Sequence, residues 1–275
     1  MASDSQKDLA VIIVSWNVKD AVLENLRSVF ASRPMPALDV ILVDNASDDG
    51  TVEAVREAFP DVGVIANREN RGFAAACNQG IREALSPPLT PPPGGGDGEV
   101  GAPHILLLNP DMRVEPDALA KTVDSLDTYP NVAVLGAKLV GRDGQSMHHL
   151  RRFPTWKDQL VVTLKLKRLF PKTMDRYMGN DLDLEREQDV DTVRGSYFAI
   201  NRSALETVGL LDERYFIWFE EVDYCRRVKE KGMSVRYVPS IVAHDLVGKS
   251  FAQRGRWWKR KQFLTSMVSY FWKWL

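Results

Sequence analysis

The sequence predicts an α/β protein: a mainly parallel sheet flanked by helices, followed by a mixed second half. Three observations predict it. Short β-rich apolar runs alternate with segments of helical spacing as far as residue 109. Polar residues gather just behind those runs, where ligands collect in open parallel sheets. Beyond residue 115 the regular alternation gives way to a mixed pattern.

The elements follow in order. "LAVIIVSW" (9–16) is a continuous apolar run, as a strand covered on both faces requires. "DAVLENLRSVFAS" (20–32) places Val22, Leu23, Leu26, Val29 and Phe30 on one side of a helix. "DVILVDN" (39–45) is the second buried strand, and "SDDGTVEAVREAF" (47–59) is a turn followed by a helix. "VGVIAN" (62–67) is a shorter strand, "FAAACNQGIREAL" (73–85) a helix, and "HILLLN" (104–109) the fourth strand, with a helix-like stretch after its Asn-Pro-Asp stop. Short connections between alternating strands and helices imply right-handed crossovers and parallel pairing. In the second half, 115–129 reads as a helix, 131–140 as a strand, and 193–202 as a strand with one wet face. "SALETVG" is a short helix with Ser203 as its cap. "EEVDYCRRVKEKG" (220–232) is an amphipathic helix, and 234–240 and 241–245 are two closing strands.

Two segments stand apart. "SPPLTPPPGGGDGEVGAP" (86–103) has no face to bury and is expected to be a disordered surface loop. The tail (251–275) is basic and aromatic, and two readings remain open. It suits an amphipathic segment lying on an anionic membrane. It equally suits a helix packed on its own domain or on a partner subunit, the latter giving a homodimer. Arg254 and Arg256 could instead close over an anionic ligand.

Composition narrows the function. The 275 residues carry 36 basic and 37 acidic side chains, which gives no electrostatic case for nucleic acid. Two cysteines, Cys77 and Cys225, suit a reduced cytoplasmic setting rather than a disulfide framework. The first ten residues lack the basic start and apolar core of a signal peptide, and no apolar run reaches the roughly 18 residues of a membrane span. A soluble or peripheral protein is expected.

Five stretches offer chemistry. Asp44, at the end of a buried strand in "VDNASDDGT", carries a charge that needs a partner such as a nucleobase or ribose, although the same stretch can be a turn and helix cap. Asn70, Arg71 and Gly72 precede a helix start of small residues, which suits a diphosphate or an ordinary glycine turn. Asp111 in "LLLNPDMRV" offers a carboxylate to Mg²⁺ or Mn²⁺, which needs few protein oxygens when phosphates and water complete its octahedron. In "DERYFIWFEEVDYCRR" (212–227), aromatic rings beside acids form a platform for sugars and a setting that raises carboxylate pKa, while three acids in a first helical turn also suit the helix dipole. His244 ends an apolar strand and could add imidazole to a metal site.

Together, "VIIVSWN", "VDNASDDGT", "NRGFAAACNQGI", "LLLNPD", "VRGSYFAINR", "GLLDERYFIWFEEVDYCRRVKEKG" and the histidine of "VAHDLVGKS" resemble glycosyltransferase family 2, in its rhamnosyltransferase-like branch. The resemblance spans about residues 9–250. It implies one GT-A domain over residues 1–250, with a nucleotide-sugar half at 9–114 and an acceptor and catalytic half at 115–250. It also implies roles. Asp44 would meet the donor base, with Ser15 and Asn17 lining the same pocket and Asn70, Arg71 and Gly72 beside the nucleotide. Asn109 and Asp111 stand at the family's Asp-X-Asp metal motif, leaving Asp111 as the charged ligand, with His244 a second. Glu221 would be the base, Asp223 would orient it or bind the acceptor, and Gly195, Trp218 and Glu220 would border the acceptor.

The function expected is inverting transfer of a sugar, with rhamnose in view, from a dTDP- or UDP-sugar. The acceptor would be a hydroxyl of a glycan or polyprenyl-linked saccharide, at the inner face of a bacterial plasma membrane. Two other readings stand beside it. A nucleotidyltransferase would show a glycine- and lysine-rich phosphate loop near the first strand, which "VSWNVKDAV" lacks. A carbohydrate-binding protein without turnover is kept open by Glu221, where the family carries aspartate.

Overall fold

The computed structural model describes residues 8–86, 104–246 and 255–275. Most of the expected surface loop at 86–103, and Arg254, lie outside the described residues.

One nine-stranded sheet runs through both halves. Strands β1 (Leu9–Ser15), β2 (Leu38–Asp44), β3 (Gly63–Ala66) and β4 (His104–Leu108) pair in parallel in the order β3-β2-β1-β4. Helices α1 (Lys19–Phe30), α2 (Thr51–Ala58) and α3 (Phe73–Ala84) make the crossovers. The sheet continues through β8 (Tyr197–Ile200), β6 (Val132–Val140), β9 (Ser234–Asp245) and β5 (Met112–Val114), with a two-residue β7 (Gln188–Asp189) also on β9. Here β8 is antiparallel to both neighbours and β6 is parallel to β9, so the second half is mixed. The helices of this half are α4 (Ala118–Thr128), α5 (Trp156–Thr163), α6 (Pro171–Met178), α7 (Arg202–Val208), α8 (Glu220–Glu230) and α9 (Arg256–Trp274).

Why the strands read as unbroken apolar runs is plain in β1. Leu9, Val11 and Ile13 enter one core with Val22, Leu26 and Leu119, whereas Ala10 and Ile12 enter the core on the other face with Ala74, Cys77 and Ile81. Period-two alternation fills both faces, so every position must be apolar.

Four details differ from expectation. Residues 112–114 form the edge strand β5, antiparallel to β9, rather than starting a helix. Only Tyr197–Ile200 of 193–202 is strand. The two closing strands are one, β9, whose residues 239–241 bulge out between Val238, opposite Ala137, and Val242, opposite Lys138. The cap of α7 is Asn201, whose side-chain oxygen accepts from the Ser203 N–H at 3.1 Å.

Candidate active site

A cleft of about 380 Å³ lies at the carboxyl ends of β1, β2 and β4 and is also lined by residues from 194–196, 216–221 and α9. Ser15, Asn70, Gly72, Asn109, Asp111, Gly195, Trp218, Glu220 and Glu221 all line it. Segments from distant parts of the chain therefore share one cavity.

Backbone bonds stitch the halves together around it. The Asn109 N–H donates to Ser196 O at 3.0 Å, and the Leu246 N–H donates to Asp111 O at 3.0 Å. Buried Asn25 of α1 holds the Asn-Pro-Asp turn from below, its Nδ2 donating to Asn109 O at 3.1 Å and Met112 O at 2.7 Å. Across the cleft, the Phe73 N–H donates to Phe216 O at 2.7 Å. Gly72 permits that approach. Its φ of +87° and ψ of 172° lie in a region essentially restricted to glycine, and a Cβ there would stand 2.7 Å from Phe216 O.

The end of the cleft at Glu220 and Glu221 is set by two residues in succession with left-handed backbone, Trp218 at φ 65° and Phe219 at φ 71°. Such conformations cost on the order of 1–3 kcal/mol each and persist only where the surroundings impose them. The result here is a split: Trp218 borders the cleft, Phe219 enters an aromatic cluster with Phe263 and Tyr270 of α9, and α8 starts at once with Glu220 and Glu221. Burial raises the pKa of both acids, and the neighbouring Glu221 pushes Glu220 further, well above the ordinary carboxylate range. The Arg194 guanidinium partly offsets the rise at Glu221. Glu221 Oε2 and Glu220 Oε2 have no hydrogen-bond partner. A Cβ built on Gly195 would lie 3.8 Å from Glu221 Cβ, at ordinary contact distance, so Gly195 stands directly beside this acid.

Several expected residues lie elsewhere. Asp44 is 1% exposed and does not line the cleft; it accepts from Ser15 Oγ at 2.8 Å and from the Ser47 N–H at 2.8 Å, and so holds Ser15 and the following turn in place. Asn17 braces the same turn, its N–H donating to Ser47 Oγ and its Oδ1 accepting from the Asp48 N–H, each at 2.8 Å. Asp49 accepts from the Lys19 and Thr51 N–H groups at the starts of α1 and α2. Arg71 is exposed outside the cleft.

Asp223 runs against the catalytic or acceptor-binding role expected of it. It is fully buried away from the cleft and accepts from Trp274 Nε1 at 2.8 Å, Lys273 Nζ at 2.9 Å and Arg227 Nε at 3.0 Å. His244 also departs from expectation. Side chains alternate along β9, so His244 turns outward to Glu115, Nε2 to Oε1 at 2.5 Å, while Asp245 turns into the cleft and pairs with Arg194 at 2.9 Å.

The sequence reading missed Asp245, Arg194, Ser196, Trp16 and Trp258 as cleft residues. For Asp245 the signal was present: Ile241, Ala243 and Asp245 alternate with Val242 and His244. For Trp258 there was none, because it arrives from α9 and packs edge-on to Phe216 at 5.7 Å. Its helix is held by Ser266 Oγ donating to Ile217 O at 2.8 Å and by Trp156 stacking on Phe271 at 4.0 Å.

Among the described residues there is no group of three or more His, Cys, Asp and Glu side chains placed to hold a metal ion. Besides Glu220 and Glu221, the cleft presents the carboxylates of Asp111 and Asp245, with the Asn109 amide. These are hard oxygen donors of the kind that suits Mg²⁺ or Mn²⁺ when a diphosphate supplies most of the coordination. The donor set fits a cation carried by its ligand and does not fit a protein cage.

Comparison with known proteins agrees with this architecture. Residues 10–209 match the family model of glycosyl transferase family 2. The chain is 26% identical over 250 residues to the N-acetylglucosaminyl-diphospho-decaprenol L-rhamnosyltransferase of Mycobacterium tuberculosis, covering 84% of this chain and 74% of that protein. It is 26% identical over 169 residues to the rhamnosyltransferase WbbL of Escherichia coli, covering 58% of this chain and 60% of that protein. A mannosyltransferase from Pyrobaculum calidifontis, solved with GDP-Man and Mn²⁺, shares the fold with a TM-score of 0.58 at 21% identity, over 90% of this chain and 61% of that one. The chain therefore belongs to glycosyl transferase family 2, has the GT-A fold, and falls with that family's rhamnosyltransferase-like branch.

Proposed function

We propose that this transferase is inverting and metal-assisted, moving a sugar of the rhamnose class from a nucleoside-diphosphate donor to a hydroxyl of a glycan or lipid-linked saccharide. The observation that carries the reading is the shared cleft, which Asp111, Glu221 and Gly195 all line.

The nucleotide lies over the ends of β1 and β2, against Ser15, Trp16, Asn45 and Asn70. Asp44 acts behind it by fixing the Ser15 hydroxyl. The diphosphate points to Asn109 and Asp111, with Arg194 adding positive charge. Asp111, with Asp245 also lining the cleft, would hold a divalent cation, which when bound would neutralise the charge that develops on the departing diphosphate.

Trp218 offers its face to the acceptor sugar, and Glu221 removes the attacking hydroxyl's proton. The oxygen attacks the anomeric carbon from the side opposite the diphosphate, so one C–O bond forms as another breaks and the configuration inverts. Burial suits Glu221 to this task, because a carboxylate whose pKa is raised is a stronger base once ionised. Burial and the neighbouring Glu221 push Glu220 higher still, so of the two acids Glu221 ionises the more readily. The polyprenyl-linked acceptor in the name of the mycobacterial relative supports a lipid-linked acceptor here.

The test is turnover of a panel of dTDP- and UDP-sugars with lipid-linked and free saccharides, with and without Mn²⁺ or Mg²⁺. Release of the nucleoside diphosphate that depends on acceptor and cation, with anomeric inversion by NMR, is the expected result. Cation-independent transfer by Asp111→Asn at the wild-type rate would contradict the assignment.

A further inference from the structure

The expected membrane contact was confined to the tail, yet α9 spends one face on its own domain. Phe263, Ser266, Tyr270 and Phe271 pack inward. What remains outside is ordered. Trp257, Lys261, Leu264, Val268 and Trp272 recur at spacings that keep them on one stripe of a 3.6-residue helix. Trp257 and Trp272 are 84% and 83% exposed.

A second element extends that stripe. Trp156 stacks on Phe271, the residue before Trp272, and opens α5. From there Leu160 and Leu164 follow at four-residue steps, and the connection to α6 adds Leu169 and Phe170, all exposed. Residues 156–172 and 255–275 each carry five Lys or Arg, of which Lys273 turns inward to Asp212 and Asp223. The single acid of these two segments, Asp158, is buried and paired with Arg176. In a chain of net charge −1, this basic and apolar concentration is local.

We infer that α9 and α5, with the connection from α5 to α6, form one peripheral docking face for a lipid bilayer bearing anionic headgroups. The partner follows from chemistry. Lysine and arginine around a protruding apolar stripe match phosphate-bearing headgroups above an acyl layer, and tryptophan suits that boundary. No described helix is long and apolar enough to cross a membrane, so the contact lies in the plane of the surface. Trp257 on this face adjoins Trp258 in the cleft, which puts the cleft mouth beside the bilayer.

The test is co-sedimentation of the full chain with phosphatidylcholine vesicles and with vesicles of equal parts phosphatidylcholine and phosphatidylglycerol. Binding to the anionic vesicles that weakens with added salt is expected. Trp257→Ser with Trp272→Ser, and separately Leu164→Ser with Leu169→Ser, should each lower the partition coefficient roughly tenfold. Both pairs sit on the surface, and thermal melting verifies that they fold. Turnover of the nucleotide sugar should be unchanged in both, which separates this inference from the proposed activity. Failure of the wild-type chain to bind anionic vesicles overturns the inference. Indifference of binding to the Leu164 and Leu169 pair overturns the two-element face. A wild-type dimer that these same variants dissociate would make the face an interface between copies and overturn it equally.

Discussion

Trp274 donates its indole N–H to the buried carboxylate of Asp223 at 2.8 Å, and this bond ties α9 to the helix that presents Glu221. Lys273 adds a second tie to the same carboxylate, and Arg227 a third from within α8.

Asp223→Ala should therefore act through packing. It leaves the Lys273 and Arg227 charges without their shared partner, and breaking such a buried cluster costs about 3–5 kcal/mol. Denaturant unfolding should show the loss, and kcat should fall in proportion to misplacement of Glu221. Full stability in the variant would contradict this account.

Gly72→Ala tests the contact between the halves. The alanine must adopt a backbone region open almost only to glycine, and its Cβ meets Phe216 O. A loss of about 1–3 kcal/mol is expected from the backbone alone, with weaker binding of the donor by calorimetry. Wild-type stability and affinity would show that the approach of Gly72 to Phe216 is not needed.

Asp245 and His244 make opposite predictions from adjacent positions. Asp245→Asn should weaken the Mn²⁺ dependence of turnover, because Asp245 faces the cleft beside Asp111. His244→Ala should leave it near the wild-type value, since that ring is turned to the partly exposed Glu115 at the edge of the sheet. The reverse pattern, read from initial rates against metal concentration, would restore the assignment made from sequence.

Much of this was legible in the sequence, for identifiable reasons. Strands buried on both faces, such as β1, β2 and β4, have no polar interior, so their ends stand out, and Ser15, Asn109 and Asp111 follow from that. Asp223 was not legible: three acids in the first turn of α8 look alike until the packing of α9 decides which is internal. The tail was ambiguous because an aromatic face built to pack on Phe219 and one built to meet lipid have the same composition. Residues 141–190 showed no clean periodicity, which fits helices as short as α5 and α6, with eight residues each.

Glu220 should be a source of pH-dependent instability. Its folded pKa is raised by burial and by Glu221. Its contribution is thus present below the unfolded value and is lost as pH rises through the folded one. Glu220→Gln removes that loss, so its melting temperature should gain on the wild type as pH rises above the ordinary glutamate value. Parallel curves across that range would contradict the shift.

The most direct test is Glu221→Gln, with donor affinity measured by calorimetry and transfer by single-turnover kinetics on the same preparation. A nucleotide-sugar Kd near the wild-type value, with the transfer rate lowered roughly 10²–10⁴-fold, is the result expected on removing a general base. A variant that binds donor and transfers sugar at the wild-type rate would contradict the claim that Glu221 deprotonates the acceptor in the cleft it shares with Asp111.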